Sequence, residues 1–588
     1  MRGRINFFAV LAIAAASSAV LSSHAAAQRG PCAQIAAACR EAGFVQGAAR
    51  TGNGLQVDCV QPIMQGSARP RPGTRALPTI DPKLVAACKA ANPNFGQRNA
   101  AREAAGEQAA PANPPPPVAA APAGSSATGN RRPNIVFVLT DDLAWNLVQF
   151  MPHVLQMQKD GVTFSRYFVT DSLCCPSRSS IFTGRYPHNT GIYRNVGEDG
   201  GYLAFRNRGH EQATFATALA TNGDRAAMLG KYLNGYLPAM HPPAPGWKFW
   251  AVAGNGYAEF NYNLNRDGRI VHYASKPTDY LTDVLSGLAT DFIKQSAGSP
   301  FLIEVATFAP HAPYTPAPRD AEAFPGLQAP RTAAFDAAPD PNAPDWLKAR
   351  RPLSPADMAG IDRDFRKRAQ SVLAVDAMIG ELQAAVAAIH EESNTYFVFS
   401  SDNGYHMGEY RLMPGKMTAF DTDIRVPLII TGPGVPAGAT VEDITENIDL
   451  AATFTELAGL VPSAEIDGRS LVPFLRGQKP PNWRTVALIE HRGPVRNLVD
   501  PDLPGPRSGN PPTYEAIRGP SFLYVEYANG EKEYHDLVSD PDELHNTFAA
   551  LSAERKAELH ATLAAVQACQ GVQSCSTAEA GSRSAAQR

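Results

Sequence analysis

Asn-Ile-Val-Phe-Val-Leu-Thr-Asp-Asp, residues 134–142, is an unbroken apolar run that ends on two carboxylates. A run without polar alternation predicts a strand covered on both faces, as in a parallel sheet. Two later segments repeat the plan: FLIEVATFAPH at 301–311 and TYFVFSSDNG at 395–404. Between them Val372, Val375, Ile379, Leu382, Val386 and Ile389 recur at helical spacing, which predicts an amphipathic helix with one buried stripe. Strands alternating with such helices define a doubly wound α/β domain. Functional groups then collect at the carboxyl ends of the strands. Asp141, Asp142, His311, Asp402 and Asn403 are therefore expected on one rim.

Outward from this core the texture changes. The first 27 residues combine Arg2 and Arg4, an apolar stretch Phe7–Leu21 and a small-residue site Ala25–Ala27. They read as a signal peptide, so the mature protein is expected in a bacterial periplasm or secreted. No later apolar run in the sequence is long enough to predict a membrane span. Residues 28–95 hold Cys32, Cys39, Cys59 and Cys88, an even count that predicts two disulfides with three pairings open. A metal site is the competing reading, but it lacks His and a CxxC pair. Residues 96–130 are rich in Ala, Pro and Gly and read as a linker. The α/β domain is expected over 131–475. Beyond it, 476–576 shows short strands between Gly-Pro and Asn-Gly turns, predicting a small antiparallel sheet. Cys569 and Cys575 are expected to form a local disulfide, and the tail from Ser576, residues 577–588, is expected to be disordered. The net charge of −3 over 588 residues leaves no basic excess, which argues against nucleic acid as a partner.

Asp141, Asp142, Asp402 and Asn403 offer only oxygen ligands. Crowded carboxylates repel unless a cation lies between them, and this hard, mixed donor set favours Ca²⁺. A second stretch, LCCPSRSSIFTGRYPHN at 173–189, places two adjacent cysteines before Pro176, which suits a first helical turn. Cys174, Cys175 and Arg178 then lie near a helix N-terminus. Arg178, Lys231, His188, His311, His406 and Lys416 fall after predicted strands or in Gly-flanked turns. Cations around a divalent metal describe a site for a tetrahedral oxyanion.

Cys174-x-Pro176-Ser177-Arg178, followed by Thr183-Gly184-Arg185, resembles the signature of the type I sulfatases. MLGKYLNGY, FAPHAPYTPAP, SSDNGYHMGEY, GKMTAFDTDIRVPLIITGPG and IDGRSLVPFL fall in that family's order over about 133–475. GKYLNGY, FNYNLNRDG and DYLTDVLS carry a closer similarity to the N-acetylglucosamine-6-sulfatases and heparan 6-O-endosulfatases. The resemblance implies an alkaline-phosphatase/sulfatase-like fold: a large, mostly parallel sheet sandwiched by helices, with a small C-terminal antiparallel sheet. It implies that a formylglycine-generating enzyme oxidises Cys174 to formylglycine. Asp141, Asp142, Asp402 and Asn403 would ligate Ca²⁺ together with residue 174. Arg178 and Lys231 would hold the aldehyde hydrate, while His311 and Lys416 would grip the sulfate and help protonate the leaving alcohol. Arylsulfatases carry a His two residues after the motif lysine, where this chain has Leu233. His188 and His406 are the candidates for that role. The expected activity is hydrolysis of sulfate monoesters, with 6-O-sulfated N-acetylglucosamine as the substrate. An arylsulfatase, a phosphate or phosphonate monoester hydrolase of the same superfamily, and an inactive glycan-binding protein are the alternatives.

Overall fold

The computed structural model describes residues 31–42, 59–60, 63–64, 76–91, 132–498, 500 and 502–580. The expected signal peptide, the 96–130 linker and the last eight residues lie outside this range. Residues 1–125 and 126–588 form two separate units. In the first, helices α1 (Pro31–Glu41) and α2 (Pro82–Ala91) share a small core of Ile35, Cys39, Cys59, Val60, Met64 and Cys88. Cys39 pairs with Cys59, and Cys88 is disulfide-bonded as well.

The second unit is built on a ten-stranded sheet. Its strands, in chain order, are β1 (Asn134–Thr140), β2 (Val162–Phe164), β3 (Arg225–Lys231), β4 (Phe249–Ala253), β5 (Tyr262–Arg266), β6 (Arg269–Tyr273), β7 (Phe301–Ala306), β8 (Thr395–Ser401), β9 (Leu428–Thr431) and β10 (Ala439–Val441). Their spatial order is β10-β2-β9-β8-β1-β7-β3-β4-β5-β6. The central five, β8-β1-β7-β3-β4, are mutually parallel. Antiparallel pairs β8–β9, β9–β2, β4–β5 and β5–β6 extend both flanks.

All seven residues of β1 are buried. Ile135, Phe137 and Leu139 enter the core on one face, and Val136 and Val138 the core on the other. This two-sided burial is why the strand reads as a continuous apolar run, each fully buried large aliphatic side chain contributing roughly 1.5–3 kcal/mol. Helices α4 (Leu281–Gln295) and α5 (Pro355–Ala388) cover the Val136 face through Leu285, Phe292, Val372 and Ile379. Helix α5 starts seventeen residues before the predicted stripe. Ser354 caps it, accepting from the Asp357 N–H, and Pro355 occupies its first turn. By length and composition α5 could cross a bilayer, which the sequence reading did not foresee; here its apolar stripe is buried against the sheet.

The C-terminal sheet β11 (Ala487–His491), β12 (Tyr514–Arg518), β13 (Phe522–Tyr527) and β14 (Lys532–Asp536) is antiparallel throughout, as predicted. One face joins the main core through Ala487, Ile489, Tyr514 and Leu523. The other packs on α6 (Ala553–Gln567) through Leu559, Leu563 and Val566. Cys569 and Cys575 are bonded as expected. Helix α7 (Gly571–Ala580) carries order beyond Ser576, correcting the expected disorder of residues 577–580. The reason is Glu579, which is buried and ion-paired to Arg469 and Arg484.

Candidate active site

The parallel centre brings four chain segments to one rim. Asp141 and Asp142 follow β1, Lys231 ends β3, His311 follows β7, and Asp402 and Asn403 follow β8. Gly230, immediately before Lys231, has φ +91°, and a Cβ there would lie 1.9 Å from the Ala306 carbonyl oxygen. Only glycine lets β3 approach β7 so closely while turning Lys231 to the rim. Asp142 is itself left-handed, with φ +63°. Its N–H donates to Asp402 Oδ1 at 3.1 Å, and Arg368 Nη2 donates to its carbonyl. These bonds offset a backbone cost of roughly 1–2 kcal/mol.

Helix α3 (Cys174–Thr183) faces this rim with all ten residues buried. It has no side-chain cap from Leu173; instead Asn195 Oδ1 accepts the Cys175 N–H at 2.9 Å. Both cysteines are free thiols. Cys174 Sγ lies 3.2 Å from Asp141 Oδ1 and 2.9 Å from Lys416 Nζ. Lys231 Nζ reaches Asp141 Oδ2 at 2.6 Å, and Lys416 Nζ reaches Asp142 Oδ1 at 2.7 Å. Arg178 donates through Nε to Asp402 Oδ2 at 2.8 Å and through Nη1 to the Lys231 carbonyl at 2.9 Å. Ligand atoms of Asp141, Asp142, Cys174 and His311 lie within 4.8 Å of one another. Asn403 Nδ2 donates to Asp142 Oδ1 at 2.7 Å, whereas its buried Oδ1 has no partner among the described residues.

The electrostatics follow from burial and pairing. Burial and the neighbouring Asp141 and Asp402 push the Cys174 thiol well up, so the unmodified side chain stays protonated and is a weak nucleophile. Burial alone would lower Lys231 and Lys416, but Asp141, Cys174 and Tyr257 around the first, and Asp142, Asp502, Cys174 and Asp141 around the second, together outweigh it and raise both. Burial would raise Asp402, yet Arg178 and the two lysines bring it to about 2. His311 is raised despite burial by Asp142, Asp141 and Asp502, which favours the imidazolium.

Cys174, Arg178, Lys231, His311, Lys416, Asp141, Asp142, Asp402 and Asn403 thus converge as the sequence predicted. His188 and His406 do not join them. His188 spans Glu490 Oε2 and the Cys569 carbonyl, both at 2.8 Å. His406 spans Asp423 Oδ2 at 2.9 Å and the Ser508 carbonyl at 2.8 Å. Both rings brace the C-terminal segments instead. Four groups absent from the sequence reading do reach the site. Asp502 Oδ1 accepts from His311 Nε2 at 2.6 Å and pairs with Lys416 at 3.0 Å. Asn195 and Asn234 flank Asp502, and the Tyr257 ring lies tilted at 51° to that of His311, centroids 4.6 Å apart, with Lys231 Nζ 5.2 Å from the Tyr257 centroid. Asn234 lies within the GKYLNGY stretch, three residues after Lys231, whereas Asp502, Asn195 and Tyr257 stand in none of the quoted motifs and are joined to the rim by the fold.

Cations converging on a carboxylate cluster beside a buried residue at a helix start define an enzyme that hydrolyses anionic esters. Comparison with known proteins narrows the class. The sulfatase family model matches residues 133–460, and the model of the N-sulphoglucosamine sulphohydrolase C-terminal region matches 408–569. The human N-acetylglucosamine-6-sulfatase is 34% identical over 478 residues, covering 76% of this chain and 86% of that protein. An extracellular sulfatase SULF-1 homologue of Drosophila melanogaster is 34% identical over 380 residues, 63% of this chain and 34% of its own length. A solved enzyme in complex with its substrate D-glucosamine-2-N,6-O-disulfate superposes with a TM-score of 0.62 at 24% identity, covering 74% of this chain and 98% of that one. The chain belongs to the sulfatase family, in its N-acetylglucosamine-6-sulfatase branch, and is a sulfuric ester hydrolase.

Proposed function

We propose that this chain is an exported sulfatase that removes 6-O-sulfate from N-acetylglucosamine, using Ca²⁺ and a formylglycine made from Cys174 by a formylglycine-generating enzyme. The observation that carries the reading is the donor set itself. Three carboxylates meet an amide whose buried Oδ1 has no partner among the described residues, an arrangement that fits a hard cation. Asp141, Asp142, Asp402 and Asn403 would hold the ion with residue 174. Bound there, Ca²⁺ supplies Lewis acidity toward the sulfate oxygens. The aldehyde hydrate supplies the hydroxyl nucleophile that a protonated thiol does not.

The protein's own groups divide the remaining work. Arg178, fully buried and held between Asp402 and the Lys231 carbonyl, orients residue 174 toward the rim. Lys231 and Lys416 neutralise the non-bridging oxygens of the ester. His311 donates its Nδ1 proton to the Ala312 carbonyl at 2.8 Å, which fixes the ring and leaves Nε2–H to protonate the departing alcohol. Export is supported by the disulfides Cys39–Cys59 and Cys569–Cys575, which persist in oxidising compartments, and by the signal-like N-terminal sequence. The 34% identity to the human N-acetylglucosamine-6-sulfatase supports the sugar.

The test is sulfate release from N-acetylglucosamine-6-sulfate, set against a nitrophenyl sulfate and a phenyl phosphonate monoester. A higher kcat/KM on the sugar sulfate is expected. A preference for the phosphonate, or no release from the sugar, would overturn the assignment.

A further inference from the structure

Among the described residues, the Asp502 carboxylate is the one anion in the site that does not come from a strand end of the main sheet. It sits in the loop joining β11 to β12, yet its side chain is only 2% exposed. Oδ1 faces His311 Nε2 at 2.6 Å and Lys416 Nζ at 3.0 Å. Oδ2 accepts from Asn195 Nδ2 at 2.6 Å and lies 3.4 Å from Asn234 Nδ2. Asn195 ties this carboxylate to the helix that starts at Cys174, because its own oxygen takes the Cys175 N–H at 2.9 Å. Its amide also donates to Asp500 Oδ1 at 3.1 Å, and the Asp502 N–H donates to the same oxygen at 3.0 Å. Asp500 also lines a cavity of about 690 Å³ together with Arg194, Glu198, Asp199, Arg208 and Arg496.

We propose that Asp502 is a specificity-determining residue that reads the sugar. This rests on the sulfatase reading above and names the group that would recognise the saccharide. Oδ1 occupies the place where His311 and Lys416 must meet the sulfate and its bridging oxygen. An anionic ester takes over those two cations and displaces Oδ1 from them. The carboxylate is still anchored through Oδ2, so it stays beside the carbon skeleton that bears the sulfate. A buried carboxylate oxygen stripped of its donors is unfavourable, and a hydroxyl or an amide N–H of the substrate restores a donor. An aminosugar carries both kinds of group; a simple aryl sulfate carries neither. Discrimination arises because the wrong substrate leaves Oδ1 unpaired.

Asp502→Asn and Asp502→Ala test this with two substrates in one preparation. Each is assayed on N-acetylglucosamine-6-sulfate and a simple alkyl sulfate, whose leaving alcohol needs the same proton from His311 but offers no hydroxyl or amide, with residue-174 conversion and thermal unfolding matched to wild type. The expected result is that kcat/KM falls at least about tenfold further on the sugar sulfate than on the alkyl sulfate. An equal loss on both substrates in a folded, converted variant, beside a wild type active on the sugar, would assign Asp502 a merely structural part and overturn the inference alone. A wild type inactive on the sugar sulfate would instead overturn the functional reading and this inference with it.

Discussion

Replacing Arg178 by Met removes a buried guanidinium while keeping most of its volume. The side chain is 0% exposed and bonds Asp402 Oδ2 at 2.8 Å and the Lys231 carbonyl at 2.9 Å. Its loss strands a carboxylate that is itself wholly buried. Against the desolvation of that carboxylate, Arg178 leads the charges that take Asp402 from 3.8 to about 2. That shift corresponds to about 2–3 kcal/mol at neutral pH. Breaking a buried pair by removing one partner costs about 3–5 kcal/mol, so Arg178→Met should destabilise by about 3 kcal/mol in chelator. Adding Asp402→Asn should return about 2 kcal/mol of it, because the orphaned charge is gone. The depressed carboxylate contributes stability above the unfolded pKa that is lost as pH falls through the folded value. The effect of Arg178→Met should therefore shrink between about pH 4 and 2. Urea unfolding of the two single variants and the double variant, each in chelator, measures the coupling. Strictly additive losses in that cycle would refute the pairing as the source of the cost.

The other expectations concern chemistry and burial. Cys174→Ala should abolish turnover, while Cys175→Ala, whose thiol meets Ser179 at 4.0 Å and the Gly201 backbone, should stay within about tenfold of wild type, or roughly 1.4 kcal/mol in the barrier; equal inactivity in steady-state assays would mean that the two act as a pair. Chelation should abolish activity and Ca²⁺ restore it, with Asn403→Ala raising the Ca²⁺ needed for half-restoration in a titration; an unchanged midpoint would remove Asn403 from the ion's ligands. Burial pushes the Glu304 carboxyl up to about 8, partly offset by Arg178, and neither of its oxygens has a partner among the described residues. A raised carboxyl favours the folded state fully below its unfolded pKa and loses that advantage as pH rises toward 8, so Glu304→Gln should gain on wild type by up to a few kcal/mol between about pH 4.5 and 8 in unfolding experiments. A pH-independent difference would count against a protonated Glu304.

What the sequence disclosed follows from how each element is buried. β1, β7 and β8 are central and parallel, so their apolar runs announced both strand and rim, and Asp141, His311 and Asp402 came with them. β3 was harder to read because Gly230 interrupts it, yet that glycine places Lys231. Asp502 was illegible: it meets His311 across 191 residues and Asn195 across 307, through a loop whose path no local pattern encodes. His188 and His406 stand apart from the cluster for the complementary reason. Each lies close in sequence to a motif, but Glu490 and Asp423 hold their rings on other partners. The start of α5 is written in Ser354-Pro355, a cap and a first-turn proline that lies seventeen residues ahead of its apolar stripe.

The central claim is that residue 174 reaches the active protein as formylglycine. Mass spectrometry of the tryptic peptide Tyr167–Arg178, from protein produced alongside a formylglycine-generating enzyme, tests it most directly. The account predicts that residue 174 has lost H₂S and gained one oxygen, that Cys175 is unchanged, and that the converted fraction scales with sulfate release across preparations. Full sulfatase activity from a preparation whose residue 174 is entirely cysteine would contradict it.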